Sequence, residues 1–367
     1  MNQHGTVTRA DERDDMRRTV AEFLDRYSDS GRVRAAMASE HGYDTALWRR
    51  CSQELGTTAL VVPERCGGLG MGFADAAVVI EEFGRRVVPS PLLTTVVAAA
   101  AAAACDTGEA DELLRVIAEE GAAVSIAFEG ERPVRATRTG RRWSLRGRPA
   151  HVMHGADVDV LLVVAETGNA GDPALFVVRR AAEGVRADRL VTLDQTRSLA
   201  EVELAGARAV PLAGEGNVKS IVDMVTELTL IALAAESAAA ARSCLEATVE
   251  YLKVRHQFGK PLGSFQALKH RCADLAVDVE GAESTAWYAV ETALADPGER
   301  AVVAPLAKAV CADTFMRVAA ESVQLHGGIG FTFEHDAHLF LKRAKANQHL
   351  LASPQELRRK VGEAAGL

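Results

Sequence analysis

The chain has 367 residues, enough for two or three structural layers around a sizeable core. A hydrophobic content of 48%, a charged fraction of 25% and a net charge of −8 are those of a globular protein with no need of a membrane. They exclude nucleic acid as the main partner, because tracking phosphates takes an excess of Lys and Arg. Six scattered cysteines (Cys51, Cys66, Cys105, Cys244, Cys272, Cys311) form no CxxC pair. They give no support to a disulfide framework or a thiolate metal site, and a reducing cytoplasm is the expected location.

The first residues, with Arg9, Asp11, Glu12, Arg13, Asp14 and Asp15, lack the apolar core of a signal peptide. Residues 1–120 predict an α-helical domain, since Met16, Val20, Phe23 and Leu24 begin a helical recurrence of apolar positions. Breaks fall in the glycine-rich stretch 63–72 and at Pro89-Ser90-Pro91. The run Val96–Cys105 is mostly alanine and too short to span a bilayer, so it reads as a buried helix. Residues 121–215 change texture. Short β-rich runs (123–128, 160–165, 174–178) are separated by turns at Thr139-Gly140 and 168–173. No long helical pattern interrupts them, which predicts a small antiparallel β domain and not a parallel sheet. Residues 216–367 are helical again, with helices expected at Val218–Val254, Ser264–Ala295, Glu299–Leu325 and Glu334–Leu350. Asp296-Pro297-Gly298 marks a stop between two of them. The fold class is therefore α+β: a helical domain, a β domain and a C-terminal four-helix bundle.

Two stretches of the bundle carry chemistry. One runs from Tyr251 through Arg255, Gln257, Phe258 and Gly259 to Pro261, and the other from Gln324 through Gly327, Gly328 and Gly330 to Thr332. A dinucleotide diphosphate needs cationic or N–H donors and backbone that can approach closely. Arg255 offers a guanidinium fork, Gln266 a neutral donor at the next helix start, and the glycines permit close approach. Gly327 alone is explained as a helix C-cap, but three glycines beside Gln324 are not. No GxGxxG follows a strand, so a Rossmann unit is not expected.

This pair of motifs, in this domain order, resembles the acyl-CoA dehydrogenase family of flavoproteins over nearly the whole chain, strongly in the bundle and weakly in the β region. The resemblance implies FAD held between the β domain and the bundle. Arg255, Gln257, Phe258, Gly259, Gln266, Gln324, Gly327 and Gly328 would reach its diphosphate and adenosine across a subunit interface. It also implies an acyl thioester substrate, on coenzyme A or a carrier protein, and a dimer or dimer of dimers built through the bundle. The family's chemistry is α,β-desaturation, in which a carboxylate base takes a proton and flavin N5 takes a hydride. The family's usual base, the Glu of a Glu-Gly-Thr segment, falls here on Leu351-Ala352-Ser353, and an alternative position on the first bundle helix falls on Thr229. Glu236, two turns further along the Thr229 face, is the best-placed carboxylate, and Glu227, on the opposite face, is the second. In its apolar surroundings Glu236 is expected either to carry a raised pKa as a base or to be a structural carboxylate bonded to a neighbouring helix or an Arg. Glu227 is expected to be solvated.

The family's ring-contacting Thr-Glu-Pro and Trp-Ile-Thr segments are replaced by Phe128-Glu129-Gly130 and His151-Val152-Met153. His151 and His154 could replace the lost hydroxyls, but isolated histidines are more often surface residues, and that is the expected reading. A metal site on His335, Asp336 and His338 is disfavoured, because three neighbours on one short stretch do not converge on an ion; a capped helix start is the better reading. The expected function is FAD-dependent acyl-CoA dehydrogenation. The alternatives are a non-catalytic or half-site subunit of a heteromeric acyl-CoA dehydrogenase, of the kind found in actinobacterial steroid and secondary metabolism, and a flavin-independent isomerase or cyclase on the same fold.

Overall fold

The computed structural model describes residues 9–128, 133–168, 172–213, 218–293, 295–364 and 366. Six helices come first: α1 (Arg9–Tyr27), α2 (Ser30–Met37), α3 (Thr45–Leu55), α4 (Phe73–Arg85), α5 (Leu92–Ala103) and α6 (Gly108–Glu119). The alanine-rich α5 is buried on nearly every face. Small side chains there let it lie against the first strand, where the Thr95 hydroxyl donates to the Val124 carbonyl.

Eight strands follow: β1 (Val124–Ala127), β2 (Arg135–Thr139), β3 (Arg142–Gly147), β4 (Val152–Met153), β5 (Val160–Thr167), β6 (Asp172–Arg179), β7 (Val185–Arg189) and β8 (Leu199–Pro211). They form one sheet in the order β1-β5-β2-β3-β8-β4, with β6 joining β5 to β8 and β7 flanking β8. The expected turn at Thr139-Gly140 joins β2 to β3, Gly140 taking the positive φ that a tight hairpin requires. Part of the other expected turn, residues 169–171, lies outside the described residues. The sheet is mostly antiparallel, as expected, and two of its pairings are parallel: β1 and β2 both run parallel to β5. Residues 160–165 of β5 are all buried, so both edges and both faces of this strand are covered. A continuous apolar run of this kind does not specify strand direction.

The bundle comprises α7 (Val218–Val254), α8 (Gln266–Thr292), α9 (Pro297–His326) and α10 (Ala337–His349), and a further helix, α11 (Pro354–Ala364), closes the chain. Asp296 caps α9 by accepting from Gly298 and Glu299 N–H, with Pro297 as its first residue. α10 begins three residues later than expected, because the His335 ring accepts from the Ala337 N–H and Asp336 is drawn to Arg34 of α2. The middle of α7 is buried all round and carries the core shared by the helical domain, the sheet and the bundle. Among the described residues no helix is long and apolar enough to cross a membrane.

Candidate active-site cleft and cofactor-facing surface

The two bundle motifs meet at one end of α7 and α9. Tyr251 stacks on His326 with ring centroids 4.4 Å apart and donates to the His326 carbonyl at 3.2 Å. Beyond α7 the chain makes a two-residue hairpin, β9 (His256–Gln257) and β10 (Lys260–Pro261). Phe258 and Gly259 sit at its tip with φ of 55° and 75°. Arg255, Gln257, Phe258, Gly259, Gln266, Gln324, Gly327 and Gly328 are all exposed on this end of the molecule. Among the described residues the Arg255 guanidinium has no ion-pair partner, although acids are plentiful elsewhere. Gly330 is required by packing, since a Cβ there would lie 2.8 Å from the Val323 carbonyl oxygen. Val254, Phe258, Phe331 and Phe333 add exposed apolar surface around the donors. The donor set fits a dinucleotide diphosphate approaching from outside the chain, and the apolar rim fits a covering subunit.

A second feature is a cleft of about 700 Å³ between the β domain and the bundle. Phe128, His151, Val152 and Met153, which stand where the family's ring-contacting residues would, line one wall; Leu351 lines the other. Glu129 and Gly130 lie outside the described residues. Leu351 takes a left-handed φ of 65°. The buried Lys308 holds the adjacent turn by donating to the Ala352 carbonyl at 2.6 Å and the Gln348 carbonyl at 3.3 Å. Thr229 is buried and donates to the Val225 carbonyl of its own helix at 2.7 Å. Neither family base position therefore offers a proton acceptor. The wall that would face a flavin ring carries an imidazole, a thioether and hydrocarbon in place of hydroxyls, and does not fit the family's ring contacts.

Glu236 is buried, but in surroundings unlike those that raise a carboxyl pKa. Arg343 of α10 donates to its Oε1 at 2.7 Å, Arg197 donates to Oε2, and Asn347 reaches Oε2 at 3.2 Å. Burial alone would push this carboxyl up; the two guanidinium charges and the hydrogen bonds outweigh it and hold the group below its ordinary range. The expected raised pKa is thus corrected, and the structural alternative is the geometry found. Arg343 also donates to Asp194 Oδ2 at 2.8 Å and to the Thr196 carbonyl at 2.8 Å. The network is a closed set of two cations and two anions. Gly84 of α4 permits it, since a Cβ at that position would come within 2.7 Å of the Glu236 carbonyl oxygen. Arg197 lines the cleft, whereas Glu236 does not. Glu227 is also not solvated: it is ion-paired at 2.6 Å with the buried Arg300.

Sequence reasoning missed Arg197, Arg343, Asp194 and Asn347. The one available signal was a glutamate in an alanine-rich run, which demands a cationic partner without saying which.

Family models described as Acyl-CoA dehydrogenase, N-terminal domain and Acyl-CoA dehydrogenase, C-terminal domain match residues 10–112 and 226–363. The chain is 37% identical over 355 residues to "Acyl-CoA dehydrogenase IpdE2" of Mycobacterium tuberculosis, covering 97% of this chain and 98% of that one. Among solved structures, the ChsE4-ChsE5 complex from Mycobacterium tuberculosis matches with a TM-score of 0.89 at 28% identity, covering 98% of both chains. Butyryl-CoA dehydrogenase from Megasphaera elsdenii matches in fold with a TM-score of 0.88 at 23% identity over the whole of both chains. The chain belongs to the acyl-CoA dehydrogenase family.

Proposed function

We propose that this member of the acyl-CoA dehydrogenase family is the half-site subunit of a heteromeric acyl-CoA dehydrogenase. Its outward-facing Arg255, Gln257, Gln266, Gln324, Gly327 and Gly328 would hold the diphosphate and adenosine of an FAD whose ring and catalytic base belong to a partner chain. When bound, that flavin would supply the hydride acceptor for α,β-desaturation of an acyl thioester, carried on coenzyme A or a carrier protein. The role of this chain is then to bind, to orient and to cover: Arg255 matches phosphate oxygens and the aromatic rim excludes water.

The observation that carries the reading is a mismatch within one chain. Among the described residues the outward-facing donors are unpaired, while the cleft has Leu351 at the base position, its own buried acid, Asp194, is engaged by Thr196 and Arg343, and Glu236 is closed off by Arg197 and Arg343. The two-chain ChsE4-ChsE5 neighbour supports this reading. A self-sufficient FAD-dependent dehydrogenase would need a free carboxylate at the cleft.

The absorption spectrum of the purified chain, and of the complex recovered with its native partner, tests the proposal. The expected result is no flavin band from the chain by itself after incubation with FAD, and one FAD per heterodimer in the complex. A yellow chain that reduces its flavin with an acyl thioester by itself would overturn it.

A further inference from the structure

The cleft remains a built cavity although its wall does not match the family's ring contacts, and one feature of that wall points to a different occupant. Arg197 is 94% buried and lines the cleft. One terminal nitrogen is bound to Glu236, the other meets only the Met153 thioether at 3.5 Å, and Nε has no hydrogen-bond partner among the described residues. A guanidinium buried with so few of its five N–H groups engaged is an unfinished anion site. The one acid on the wall does not compete. Asp194 accepts from Thr196 N–H at 2.9 Å on Oδ1 and from Arg343 at 2.8 Å on Oδ2. The other polar residues lining the cleft are Lys345, His349 and His151, which are basic and exposed, and Thr192, whose hydroxyl donates to the Asp194 carbonyl at 2.8 Å. The remaining wall is hydrocarbon, and Leu193 extends it to the mouth, where it is 58% exposed. The four charges of the buried network cancel, but the oxygens of its acids are engaged within it, which leaves cationic character toward the cleft.

We infer that this cleft receives a carboxylate-bearing molecule with an apolar body in place of a flavin ring, its carboxylate directed to the Arg197 and Lys345 side of the wall. This rests on the half-site reading. A cleft of about 700 Å³ lies within the range of small-molecule sites and holds a chain of about ten carbons with its head group. A planar guanidinium matches a carboxylate in a way that a neutral head group cannot exploit.

Calorimetric titration of the full chain with decanoate and with 1-decanol tests the inference. Decanoate is expected to bind at least about tenfold more tightly than decanol, a difference of about 1.4 kcal/mol. Lys345→Gln should reduce the preference, and Leu351→Trp, which fills the cleft, should abolish binding of both. Removing Arg197 alone leaves the buried network with one excess anion, Arg343 facing both Glu236 and Asp194, so the paired variant Arg197→Met/Glu236→Gln is used; it should remain folded and lose the preference for decanoate. Equal affinity for the two ligands, failure of both to bind, or a preference that survives in the paired variant would overturn the inference. If the chain by itself takes up FAD with a flavin band, the half-site reading fails as well. A colourless chain with no carboxylate preference sinks only the inference about the cleft.

Discussion

Replacing Glu236 with Gln separates a structural carboxylate from a catalytic one. The substitution keeps the shape but removes the anion shared by Arg197 and Arg343, both at least nine-tenths buried. Asp194 is then the only remaining counter-charge in the network, and the interior carries one excess cation. Breaking a buried ion pair by removing one partner costs about 3–5 kcal/mol, because the orphaned charge stays out of water. Unfolding entropy of about 2.1 cal/mol/K per residue gives about 0.8 kcal/mol/K for a chain of this length. The melting temperature should therefore fall by about 4–6 °C. Scanning calorimetry at pH 7 reads that shift, and single-turnover flavin reduction in the complex reads the chemistry. Adding Arg197→Met to Glu236→Gln should recover more than half of the lost stability, since the cation with no counter-charge is then gone. The opposite pattern, a melting temperature within about 1 °C of the parent together with a 10²–10⁴-fold slower flavin reduction, is what a general base would give, and it would refute the structural assignment.

Arg255→Ala should leave the melting temperature of the chain unchanged, because the side chain is exposed and has no ion-pair partner among the described residues, yet weaken FAD retention by the complex at least tenfold in equilibrium dialysis. Gly84→Ala should destabilise by about 1–3 kcal/mol in chemical denaturation, since the added methyl group meets the α7 backbone at Glu236 and one of the two helices must shift. Burial, then the charges of Arg197, Arg343 and Arg189, push the His154 imidazole down to about 3 from an ordinary 6.5. The unfolded chain thus binds the extra proton first, so this group's contribution is intact above pH 6.5 and is lost as pH falls from there toward 3, by up to about 1.4 kcal/mol per pH unit. His154→Asn, which suits the φ of 53°, should flatten the fall in unfolding free energy between pH 6 and 4; an unchanged slope would remove His154 as its source.

The chain's texture determined a good deal by itself. The span Val218–Val254 was legible as one helix to its end residues, because apolar residues continue without a Pro or Gly break. The order of helical domain, β domain and bundle followed from a change of period, and the Arg255 and Gln324 motifs marked one surface because turn glycines and donors are local signals. Helix α11 was legible but went unread: Ser353 and Glu356 form a reciprocal cap around Pro354, a pattern written in four consecutive residues. Only the tertiary structure decided the parallel pairing of β1 with β5, since a buried apolar strand has the same composition in either direction. The character of Glu236 belonged to the tertiary structure too. Its carboxyl is held down by Arg197, 39 residues away, and Arg343, 107 residues away. In sequence those two arginines look like many others. Packing made them partners, because a charge in the interior is tolerated only where folding brings an opposite one to it.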